Sequence, residues 1–273
     1  MKKEIKYLTA TSLFVFLLLM VSGSFKGILQ TIIYILAFFV PLSVCLYLYF
    51  GKENTVDFNL LKLDREGGIL TLLLLSPSVL LILLCSLGTS AAFAIFGFAD
   101  GTVIEEPPLL ALLLHALLPA LLEEGVFRYL PMRLMGKRAP RAAVFISSAL
   151  FALLHHSFFS IPYAFVAGLI FMTADLAVGS VIPSFIIHFI NNTVALIAMG
   201  ALWIEPDIFL IIIILSAAAL VSLALLLLWR KRFLPKLCGA FSKGEGCSSP
   251  FELIYLALPS FVIAFFEIWS PNL

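Results

Sequence analysis

Charge is scarce in this chain. Of its 273 residues only 12% are charged, against 62% hydrophobic, and the mean hydropathy is +1.13. A soluble domain carries roughly a quarter charged residues, so this sequence cannot build a water-facing surface over most of its length, and lipid is its solvent. An excess of one sign is missing too: a net charge of +1 excludes an electrostatic nucleic-acid surface. Cysteine is sparse. Cys45, Cys85, Cys238 and Cys247 form no C-x-x-C pair and no metal-ligand spacing, which leaves inert thiols rather than a redox or zinc motif. No repeat, heptad or low-complexity tract stands out. The N-terminus has a basic start and an apolar run like a signal peptide, but it shows no clear A-x-A cleavage site and is long enough to span. It is read as an uncleaved first helix.

What the chain does have is long apolar runs. Stretches of about 17 residues or more can cross a hydrocarbon core of about 30 Å, and they fall near 7–23, 28–50, 68–98, 108–133, 141–157, 160–178, 180–202, 207–229 and 251–269. The expected fold is an all-α polytopic transmembrane bundle of eight to nine helices, one integral membrane domain over 1–273. The third run carries Pro77 and Gly88 and is expected to kink, tilt or split. Residues 233–250, FLPKLCGAFSKGEGCSSP, read as a cytoplasmic loop before the last helix. With the N-terminus cytoplasmic, all 17 Lys and Arg except Lys26 fall on the inner side, as the positive-inside rule requires. The expected location is the cell membrane, with the lipid bilayer as the first partner.

Ionisable residues inside such runs are expensive and mark function by default. They are His115, Glu123, Glu124, Arg128, His155, His156, Asp175 and His188, with Asn191 and Asn192 beside them. Glu124 and Arg128 are one turn apart and can pair on one face. Glu123 is rotated about 100° from Glu124 and is free to face another partner. His188 and Asn192 share a face, as do Phe151 and His155. Depths counted at about 1.5 Å per residue put Glu123, His155 and His188 in one layer. His115 is expected to pack or bond a freed carbonyl, Asn191 to donate between helices, and Asp175 to be solvated near the end of its span.

Two chemistries fit a carboxylate, two imidazoles and an amide. In one, a glutamate acts as general base on water while His and Asn donate to a developing oxyanion. In the other, Glu123, His155 and His188 hold a catalytic zinc with an open position for water. Taken alone, Glu123, Glu124 and Arg128 would equally suit an ion pair that fixes helix register, and the histidines would suit interhelical hydrogen bonding.

The ordered set E-E-x-x-x-R (Glu123, Glu124, Arg128), F-x-x-x-H (Phe151, His155) and H-x-x-x-N (His188, Asn192) resembles the CPBP family, which contains CAAX prenyl proteases and the bacteriocin-processing or immunity-type proteins called Abi. The resemblance covers roughly 115–198, the motif-bearing core. It implies a glutamate-dependent intramembrane endopeptidase, often labelled a metalloprotease, acting on a membrane-associated, in the CAAX branch prenylated, peptide. By that resemblance Glu123 activates water, His155 positions it, His188 and Asn192 stabilise the oxyanion, and Glu124, Arg128 and Phe151 support them.

Other intramembrane proteases lack their marks here: there is no H-E-x-x-H for a site-2 zinc protease and no G-x-G-D for a presenilin type. The glycine- and arginine-rich phosphate loop of undecaprenyl-pyrophosphate phosphatases is absent too. A proton- or ion-coupled transporter and a non-catalytic immunity protein are the competing readings. The clustering of polar residues in one stretch speaks against the first.

Overall fold

A computed structural model describes residues 2–51, 56–95, 104, 106–155, 160–203 and 207–240. Nine helices are found among the described residues, and no strand. They are α1 (Lys2–Gly23), α2 (Ile28–Phe50), α3 (Arg65–Ile95), α4 (Pro108–Gly136), α5 (Pro140–Leu153), α6 (Ser160–Val178), α7 (Ile182–Ala198), α8 (Ile208–Leu228) and α9 (Arg230–Gly239). Eight of the nine expected spans thus appear as helices; the ninth, 251–269, lies outside the described residues. Six helices are long and apolar enough to cross a membrane, and α5 and α7 are shorter apolar ones. The protein is an integral membrane helix bundle.

Local chemistry sets the boundaries. Helix α1 stops before the turn at Gly27, which holds φ 63°, and α2 stops at Gly51, with φ 77°. Asp64 and Asp207 accept backbone N–H bonds from Gly67 and Leu210, capping α3 and α8. Helix α3 runs unbroken through Pro77 for 31 residues. At about 1.5 Å per residue it exceeds the hydrocarbon thickness, so of the expected kink, tilt or split, tilt is the one its length demands. Of the expected loop at 233–250, the part to Gly239 is helix, and 241–250 lie outside the described residues. Phe233 is fully buried, and Arg232 and Lys236 reach Glu66 on α3 at 2.8 and 2.9 Å. Basic residues read as loop signals here hold a short helix against the bundle.

Helix α4 is central. It packs on α2, α5, α6 and α7, while α1 pairs with α2 and α8 lies outermost on α3. Only Ala219 of α8 is buried, as expected of a helix facing lipid. Small residues let α5 and α6 meet closely: a Cβ on Gly168 would sit 2.8 Å from the Ser148 backbone. The basic segments gather at one end. There Arg138 reaches Glu4, Arg133 reaches Asp57 (each at 3.1 Å), and Glu66 holds α9.

Candidate active site

Helix α4 carries the paired glutamates, and it is no regular helix. Three π-helical segments, Leu112–Leu117, Gly125–Tyr129 and Met132–Gly136, interrupt it. Such wider turns leave backbone and side chains re-aimed and recur at functional sites. The second begins directly after Glu124 and contains Arg128.

Glu123, Glu124, Arg128 and His188 are all buried, at 7%, 3%, 0% and 4% exposure. Glu124 sits between two partners. Its Oε2 is 3.2 Å from Arg128 Nε, and its Oε1 is 2.7 Å from His188 Nδ1. A carboxylate paired to a guanidinium only accepts, so Nδ1 of His188 donates and the ring turns Nε2 the other way. Nε2 then lies 3.9 Å from Glu123 Oε2. The imidazole is clamped further by Phe171, stacked at 5.1 Å, and Phe151, edge-on at 5.7 Å.

The expected Glu124–Arg128 pair is present, and more than a register lock. Arg128 Nη1 donates to the Phe127 carbonyl at 2.7 Å and to Ser147 Oγ at 3.0 Å, and Ser147 itself donates to Phe127 O. The guanidinium faces the Phe151 and Phe171 rings at 4.6 and 5.4 Å. Phe151 therefore touches Arg128, His155 and His188 at once.

Two cavities meet at His155, in the turn that follows α5. One, of about 280 Å³, is lined by Tyr34, Phe38, Glu123 and His155. The other, of about 120 Å³, is lined by His155, His188, Asn191 and Asn192 with Phe151 and Phe171. The glutamate, both imidazoles and the amide thus surround adjoining space, as the depth counting anticipated. His155 Nδ1 lies 3.1 Å from the Phe151 carbonyl, which fixes the ring. His156 lies outside the described residues.

Residues 105–194 match the family model for type II CAAX prenyl endopeptidases, Rce1-like. That stretch, about a third of the chain, is similar to the Rce1-like CAAX proteases. The match spans α4 to α7 and so contains every one of the paired glutamates, Arg128, Phe151, His155, His188 and Asn192. No curated protein and no solved structure matches the chain.

Some expectations change. Asp175, expected in water, is wholly buried: its Oδ1 accepts from Ser184 N at 2.8 Å across the tight turn between α6 and α7. The end of a span is wet only where nothing folds over it, and here α7 does. His115 finds a carboxylate rather than a carbonyl, with Nε2 3.5 Å from Glu106. Asn191 lines the smaller cavity beside Asn192. Among the described residues no three His, Cys, Asp or Glu side chains are arranged to hold a metal ion. Nδ1 of His155 is turned to the Phe151 carbonyl and Nδ1 of His188 to Glu124. Sequence reasoning missed Tyr34, which donates to Glu123 Oε1 at 3.1 Å. A tyrosine in an apolar helix gives no signal of its own, since packing accounts for it equally well.

Proposed function

We propose that the chain is an intramembrane endopeptidase of the CAAX type, with Glu123 as general base on the attacking water. The observation that carries this is the pair of unlike environments of two adjacent glutamates. Glu124 is hydrogen-bonded to His188 through Oε1 and ion-paired to Arg128 through Oε2. Glu123 keeps Oε2 without a hydrogen-bond partner, 3.9 Å from His188 Nε2, beside a cavity shared with His155. That spacing suits one bridging water.

In this reading Glu123 takes a proton from water as its oxygen bonds to the scissile carbonyl carbon. His155 positions that water from the far side of the cavity. Asn192 supplies an N–H donor to the oxyanion, His188 joins it from Nε2 when that nitrogen carries a proton as well as Nδ1, and Glu123 returns the proton to the leaving amine as the peptide bond breaks. Glu124 holds the His188 ring, and Arg128 holds Glu124. The substrate is a membrane-associated peptide cut near its C-terminus, prenylated at cysteine as in the CAAX branch. No step requires a metal ion.

The test is cleavage of a prenylated CAAX peptide and a small panel of membrane peptides by purified protein in detergent. Glu123→Gln and His188→Ala run beside wild type, each with and without chelator. Loss in both variants with normal folding supports the reading, and unchanged cleavage by Glu123→Gln overturns it. Loss of wild-type cleavage on chelation would reinstate a metal-bound water.

A further inference from the structure

The general base is held from outside the motif-bearing segment. Tyr34 on α2 lies 71 positions before the first residue matched by the CAAX family, at 105, and its hydroxyl donates to Glu123 Oε1 at 3.1 Å. The other oxygen, Oε2, has no hydrogen-bond partner and is the one nearer His188. The tyrosine ring is itself fixed. It packs on Phe38, one turn along α2, with centroids 5.1 Å apart, and Phe38 is buried. Two turns on, α2 presses on α4 next to the glutamates: a Cβ on Gly125 would lie 3.3 Å from Leu42 Cδ2. Tyr34 also lines both the 280 Å³ cavity of Glu123 and a larger one of about 680 Å³ that runs to His115 and Glu106.

We propose that Tyr34 is a positioning residue for the reaction: by binding Oε1 it stops rotation of the Glu123 carboxylate and leaves Oε2 aimed at the attacking water. The physical need is specific. The terminal torsion of glutamate is broad and nearly two-fold, so an unheld carboxylate presents either oxygen and spends much of its time misaligned. One donated bond to a single oxygen removes that freedom, and burial strengthens it. Placing the donor on α2 also makes the base depend on how α2 packs on α4. The inference rests on Glu123 acting as general base.

The test is Tyr34→Phe, which deletes the hydroxyl and keeps the ring against Phe38. A hydrogen bond to a charged group is worth roughly 10- to 100-fold in rate. We expect kcat for peptide cleavage to fall by about that factor with KM unchanged, the pattern of lost alignment rather than lost binding. A thermal cycle supplies a readout independent of turnover. The Tm change produced by Tyr34→Phe should disappear in the Glu123→Ala background, because its acceptor is gone. Unchanged kcat, a loss carried in KM, or the same Tm change in both backgrounds would each overturn the role. Wild type that cleaves no peptide would sink the protease reading and the role with it; the Tm cycle reports separately on whether the contact exists.

Discussion

Arg128 has no exposed surface, and its guanidinium is surrounded: Glu124 pairs with it along the helix, Nη1 donates to Phe127 O and Ser147 on one side, and the Phe151 and Phe171 faces lie above. Desolvating such an ion costs several kcal/mol, and removing one partner of a buried pair typically destabilises by about 3–5 kcal/mol. Glu124→Ala is therefore expected to lower Tm sharply in detergent, by more than Glu123→Ala, because Glu123 has no cation as close. Equal losses would mean that Glu124 is not the anchor of Arg128. Asp175 makes a second residue-scale case. Its carboxylate caps the first turn of α7 through Ser184 N, and His188 lies one turn further along the same helix. Asp175→Asn keeps an accepting oxygen and is expected to fold like wild type. Asp175→Ala is expected to lose roughly 1 kcal/mol of cap stability, seen as a lower Tm. Equal Tm values for the two variants would show that the cap contributes nothing.

Among elements, close crossings and open ones respond in opposite ways to one added methyl. At Gly168 the new Cβ would meet the Ser148 backbone, and the backbone cannot rotate away. Gly168→Ala is expected to cost about 1–3 kcal/mol by overpacking and to spread α5 from α6, moving Phe151 and His155 together. At Gly88 on α3 nothing lies within 4 Å, so Gly88→Ala is expected to be neutral or stabilising by about 0.5–1 kcal/mol. Chemical denaturation in detergent reads both, and a tolerated Gly168→Ala would contradict the α5–α6 crossing. The helix runs themselves were legible because length and hydropathy alone define a span. The π-helical turns of α4 were not, since they depend on which neighbours satisfy the displaced carbonyls. The helical start of 233–250 was hidden for a related reason: its pairing partner, Glu66, lies 166 positions from Arg232.

Across the whole molecule, one end of the bundle collects Glu4 with Arg138, Asp57 with Arg133, and Glu66 with Arg232 and Lys236. Segments far apart in the chain thus bring their basic residues to one side, as alternate crossing demands. The positive-inside rule then expects that end in the cytoplasm. Alkaline phosphatase fused within 24–27 should be active and fused after Phe50 inactive. The reverse pattern would invert the topology. Hydropathy and the order of three short motifs were enough to establish by sequence alone that this is a helical membrane protein with a segment similar to CAAX proteases, because both signals are local and survive without knowing what packs on what. Which glutamate is tied to Arg128 and His188 and which is left with a bare oxygen, that Asp175 is dry, and that Tyr34 reaches the base were decided only by the tertiary structure. Each of those depends on a contact between helices whose residues carry no mark in the chain until the helices meet.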